Sequence, residues 1–221
     1  MDYQRIPFSE VKHLLPVDAW AAWRNGERTG EFDEESVLLF DQSAVIEKLH
    51  LDAPFDEVEH VFLIVVQGDL TIEKYIYNED TDGAAGLIVL GDLRVRNMLV
   101  GGQEIYVTGS LIVAEVFWGD YNHGDLHVVG NATSTVFVET DDYSVNIEGQ
   151  SSFTHYLDQY GSGNIATTGN ESESPYQGLN EQLVRELFVP EFILSDDDGT
   201  TLVRDEFILA RLEAGLSLLK R

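Results

Sequence analysis

The sequence predicts an all-β protein, a parallel β-solenoid held between N- and C-terminal α-helical caps. Three observations lead there. A short motif recurs five times between Ile64 and Phe153. Its glycines, Gly68, Gly91, Gly109, Gly130 and Gly149, stand 23, 18, 21 and 19 residues apart, a period of roughly 20 residues that belongs to stacked coils. Each copy also alternates apolar and polar residues, so that Ile64, Val66, Leu70 and Ile72 share one face and Val65, Gln67, Asp69 and Thr71 the other. One such coil cannot bury its inner face alone, whereas stacking joins the inner residues into a continuous core.

Taken in order, residues 1–60 read as an N-terminal helical cap and an opening coil. Asp18 is placed to cap a helix through Trp20 and Trp23 that stops at Gly26, and the two tryptophans, three apart, are expected to pack on the first coil. Residues 36–52 have the pattern of an atypical first coil. Residues 61–160 hold about five coils. Glycine sits at the inward parity in every copy, which marks a corner where the backbone bends or is closely approached. A second apolar cluster (Met98–Val100, Val116–Trp118, Val136–Val138, and Tyr156 with Leu157) supplies another side per coil. Variable spacing suits a right-handed coil with elastic turns.

Residues 161–221 read as a Gly/Ser/Asn-rich linker and a C-terminal cap. Asn180 is placed to cap a helix carrying Leu183, Val184, Leu187 and Phe188, and Asp205 another carrying Ile208, Leu209 and Leu212. Val65, Ile88, Leu90, Tyr106, Ile112 and Val129 point away from the coil interior. They are expected to lie under these C-terminal helices or to form a binding surface.

Through the Val-x-Gly-Asp-Leu-x-Ile/Val repeat at residues 66–72 and 89–95, the chain resembles the bactofilins, polymer-forming β-helical proteins. The resemblance covers the central part of the chain and implies a β-helical architecture that assembles through its ends. Bactofilins stack through bare ends flanked by flexible tails, while here folded segments are expected at both ends.

Composition narrows function. With 13 Lys+Arg against 40 Asp+Glu the net charge is −27, which repels nucleic acid and anionic membranes. The charge serves solubility or a basic protein partner. No apolar run approaches the roughly 20 residues of a membrane-spanning helix, the N-terminus lacks the pattern of a secretory signal, and there is no cysteine. These features point to a cytoplasmic monomer or small homo-oligomer. No nucleophile elbow, phosphate loop or His-Glu-x-x-His motif is present, so neither catalysis nor a cofactor is expected.

His123, Asp125 and His127, spaced by two, form the one candidate metal set. Asp69 and Asp92, equivalent in successive copies, are the carboxylates a β-helix carbohydrate enzyme would use. The turns after the second apolar cluster carry Glu79, Asp80, Asp82, Asp120, Tyr121, His123, Glu139, Asp141, Asp142 and Tyr143. Repetition should align them as an acidic, tyrosine-bearing ridge suited to a basic protein. The expected function is a non-enzymatic protein-binding module, an immunity or antitoxin-type protein that neutralises a basic bacterial toxin. A bactofilin-like scaffold and a β-helix enzyme are the alternatives.

Overall fold

A computed structural model describes residues 3–57, 59–81, 83–159, 179–196 and 199–220. The predicted solenoid is there, built from paired short and long strands. β1 (Gln4–Pro7), α1 (Phe8–Val11) and α2 (Trp20–Glu27) precede the first coil, β2 (Ser36–Phe40) with β3 (Ala44–His50). Coil two is β4 (Leu63–Val66) with β5 (Leu70–Tyr77), coil three β6 (Gly86–Val89) with β7 (Leu93–Val100), and coil four β8 (Glu104–Val107) with β9 (Leu111–Gly119). Coil five is β10 (Asp125–Val128) with β11 (Ala132–Glu139), and coil six β12 (Ser144–Ile147) with β13 (Ser151–Asp158). The short strands stack in parallel into one sheet and the long strands into a second; β1 adds antiparallel to the outer edge of β2. Residues 36–52 are therefore the first coil, as their pattern implies.

The repeat glycines are corners, through close approach and not through a left-handed backbone, since none of the five has a positive φ. The Gly109 N–H donates to the Gly91 carbonyl at 2.9 Å and the Gly130 N–H to the Gly109 carbonyl at 2.9 Å. A Cβ on Gly91 would lie 2.6 Å from the carbonyl carbon of Gly68, and one on Gly109 2.6 Å from that of Gly91. The next residue of each copy continues the ladder with its side chain. Asp69 Oδ1 accepts from the Asp92 N–H (2.9 Å), Asp92 Oδ1 from Ser110 (2.8 Å), and Asn131 Oδ1 from Gln150 (2.9 Å). Asp69 and Asp92 are thus structural rungs that satisfy corner N–H groups, and Arg94 spans both carboxylates.

The second apolar cluster is the far half of each long strand, beyond an irregularity that shifts the register of most of the ladders. Ile76, Met98, Phe117 and Phe137 point into the solenoid, where Phe117, Phe137 and Phe153 stack at 4.2 Å spacing. Tyr75, Tyr77, Leu99, Trp118 and Val138 point outward and are covered by the C-terminal segment. That segment comprises α3 (Glu181–Leu187), the hairpin β14 (Ile193–Asp196) and β15 (Gly199–Leu202), and α4 (Glu206–Glu213). Asn180 and Asp205 cap α3 and α4 as expected. Lys74 and Arg96, at the bend of the long strands, donate to the Glu213 and Gly215 carbonyls, and Lys48 pairs with the Glu213 carboxylate. Cations are the favourable charges at a helix C-terminus.

The cover of the other sheet corrects the sequence reading. Val65, Ile88 and Tyr106 are buried beneath Phe8, Val11, Leu15, Ala19 and Ala21, so the N-terminal segment hides them and not the C-terminal helices. Val129, beyond its reach, stays 36% exposed. Trp20 and Trp23 are 45% and 47% exposed and do not anchor α2, which buries Ala21 and Asn25 instead. Nor does Asp18 cap this helix. The Glu104 carboxylate reaches across from β8 to accept the Trp20 and Ala21 N–H groups, while Asp18 accepts the Tyr106 hydroxyl. Among the described residues, no helix is long and apolar enough to cross a membrane.

Candidate functional site

Register places the acidic turns together. His50, Tyr77, Leu99, Trp118, Val138 and Leu157 are successive partners across the long-strand sheet, so the turns that follow them share one edge. Asp52 opens the edge and accepts the Glu79 and Asp80 N–H groups at 2.8 and 3.0 Å. Glu79, Asp80, His123, Asp141 and Asp142 are exposed there, Tyr121 is half-buried, and Asp82 lies outside the described residues. The edge is interrupted at Gly101 and Gly102, which carry no side chain. A Cβ on Gly102, at φ +80°, would run into the Thr81 backbone, so only glycine fits this tight turn.

Three ridge residues do something other than face solvent. Tyr143 is 5% exposed and belongs to the core, its ring lying over Gly119 and Gly124, where any Cβ would collide with it. Burial pushes its phenol up, and it is not available as a surface anchor. Asp120 accepts Arg204 Nη2 at 2.8 Å and the Thr140 hydroxyl at 2.6 Å; Arg204, with its side chain 8% exposed, also lies 5.0 Å over the Trp118 ring. It ties the C-terminal segment to the solenoid. Glu139 is half-buried, and desolvation pushes its carboxyl up to about 7 against a hydrogen bond from Tyr156.

The backbone of the same edge is unusual. Tyr121, Asp141 and Asp142 have φ of +84°, +51° and +57°, while elsewhere among the described residues only Thr29 and Phe55 combine a side chain with positive φ. Such conformations cost about 1–3 kcal/mol each and gather where a site requires a particular shape. Tyr121 packs edge-on against His123 at 5.2 Å, and the Asp141 N–H is held by the Gln159 side chain.

The electrostatics are one-sided. Every described lysine and arginine is engaged by an acceptor of its own chain, from Arg5 with Glu57 to Arg204 with Asp120 and Lys220 with the Arg185 carbonyl. The described cations are all held in contacts within the chain, and surplus carboxylates are left at the surface.

The predicted metal triad is not assembled. His123 is in the exposed turn against Tyr121, and Asp125 stands in register between Glu104 and Ser144. His127 meets Asp18 and Glu148 instead. Beside it, burial pushes the Glu104 carboxyl up to about 7 although it accepts two backbone N–H groups. Comparison of the chain with protein families, with curated proteins and with solved structures finds no match.

Proposed function

We propose that the chain is a non-enzymatic binding module for a basic protein, using the edge that carries Glu79, Asp80, Tyr121, Asp141 and Asp142. The observation that carries this reading is the backbone strain at Tyr121, Asp141 and Asp142, on an edge whose exposed charges are acidic. Carboxylates steer a cationic partner and fix its register, and a half-buried tyrosine supplies a rigid contact. An immunity or antitoxin-type protein masking a basic bacterial toxin fits this chemistry.

Affinity capture from native lysate with the wild type and with a Glu79→Gln, Asp141→Asn, Asp142→Asn variant tests it. The wild type should retain a basic protein at low salt and the variant should release it. In binding kinetics the charge variant should slow association and Tyr121→Ala should speed dissociation. Retention unchanged by the charge variant rejects this edge. The bactofilin-like scaffold is the second reading. Against it, the antiparallel β1 covers β2 and becomes the outermost strand, so another copy's coil would not meet that end of the short-strand sheet as one parallel coil meets the next. Particle size growing with concentration would favour the scaffold.

A further inference from the structure

We propose that Asp18, His127 and Glu148 form a site for a first-row divalent cation of the Zn2+ class, joining the N-terminal segment to coils five and six. One ligand atom from each residue lies within 4.8 Å of the other two. His127 Nε2 is 2.8 Å from Glu148 Oε1, and Nδ1 is 3.9 Å from Asp18 Oδ2. An ion bonds such donors at about 2.0–2.2 Å and takes only one nitrogen of an imidazole, so the carboxylate facing the other nitrogen has to swing round to the shared centre, within the 4.8 Å that separates the donors.

The sequence assembles the site through three separate elements. Strand parity sends Leu126 and Val128 inward and His127 outward; Glu148 follows the last residue of β12, which pairs directly with β10. Asp18 arrives from the segment that enters α2. The imidazole is held in place before any ion arrives: its side chain is only 12% exposed, and its ring lies 4.4 Å from that of Tyr106. The Tyr106 hydroxyl donates to both Asp18 oxygens, at 3.0 and 3.1 Å, the kind of outer support that orients a ligating carboxylate. Asn146 Nδ2 stands 3.4 Å from His127 Nε2.

The charges need the ion. Among the described residues, His127 is the one basic side chain paired with either Asp18 or Glu148, and Asp125 and Glu104 are close by. One nitrogen and two carboxylates leave a fourth position open to solvent, and an imidazole in the set selects Zn2+-like ions over Ca2+, which takes oxygen ligands.

The test uses the full chain, freed of metal by chelation and titrated calorimetrically with Zn2+ and with Ca2+. One Zn2+ should bind per chain, at least about tenfold more tightly than Ca2+, and should raise the unfolding temperature. His127→Ala and Glu148→Gln should each weaken Zn2+ binding about tenfold or more and abolish the thermal shift; His123→Ala, in a different turn, should change neither. Zn2+ binding equal in the wild type and Glu148→Gln, or no tighter than Ca2+ binding, overturns the site and assigns the uptake to the acidic surface at large. Glu148 is exposed at the end of its strand, so its variant decides the matter even where His127→Ala fails to fold.

Discussion

Replacing Gly109 with alanine adds one methyl group where the stack has no room. The new Cβ would sit 2.6 Å from both the carbonyl carbon and oxygen of Gly91, and closer still to an oxygen of Asp92. The obstacle is backbone of the coil below, so no rotamer change relieves it; the coils must part. Parting coils three and four stretches the Gly109 N–H bond to Gly91 and the Ser110 N–H bond to Asp92, now 2.9 and 2.8 Å. Overpacking costs about 1–3 kcal/mol and each of the two weakened bonds about 0.5–1.5 kcal/mol, so the expected loss is about 2–6 kcal/mol. That is a large share of the roughly 5–15 kcal/mol that holds a typical domain. Urea unfolding followed by circular dichroism should show a lower midpoint with an unchanged slope. Gly26→Ala is the matched control, because nothing lies within 4 Å of a Cβ there and the residue is inside α2. It should stabilise by about 0.5–1 kcal/mol. Gly109→Ala within about 0.5 kcal/mol of the wild type, inside the range of surface substitutions, would refute the close-approach account of the corners.

Two further outcomes concern the C-terminal segment. Lys48 and the Tyr75 hydroxyl hold the Glu213 carboxyl down to about 2 from its ordinary 4.5, so its contribution is present above about pH 4.5 and is lost as pH falls through 2. Thermal melts between pH 5 and 2 should show the wild type losing more stability than Glu213→Gln; parallel profiles would remove this lock. Arg204→Ala unpairs Asp120 and uncovers Trp118, with an expected cost of about 2–4 kcal/mol since the pair is only partly buried. Hydrogen exchange should place the loosening at the end of β9 and in β15, and an unchanged exchange pattern there would sink the assignment.

Local patterns carried the solenoid into view. Alternation at Ile64–Ile72 and the spacing of the glycines depend on residues close in sequence, as do the caps at Asn180 and Asp205. Readings that depended on distant partners went astray. The outward apolar row of Val65, Ile88 and Tyr106 announces that something covers it, but two amphipathic segments of similar character flank the repeat, and only packing decides that the N-terminal one does. Asp18 has the look of a cap because nothing local reveals that Glu104, some 86 positions on, takes that role. Periodicity also fails across turns: with Asp141 and Asp142 both left-handed, the chain reverses and delivers Tyr143 into the core.

The same distinction explains how the candidate sites came to be where they are. Both sheets present apolar residues outward, so each recruits a cover: the N-terminal segment lies over the short strands as far as Tyr106, and the C-terminal segment over the long ones. Strand faces under these covers cannot touch a partner. Among the surfaces left uncovered are the row of turns along the edge and the part of the short-strand sheet beyond the N-terminal cover, where Val129 is exposed and His127 meets Asp18 and Glu148. The repeat predicts the first place, because equivalent turns must align. It does not show which ridge carboxylates the fold has already used, and Asp120 is lost to an arginine 84 positions away. The second place lies on the boundary between repeat and cover, and its ligands come from both sides of that boundary. Parity turns His127 outward, and only the folded chain brings Asp18 to it.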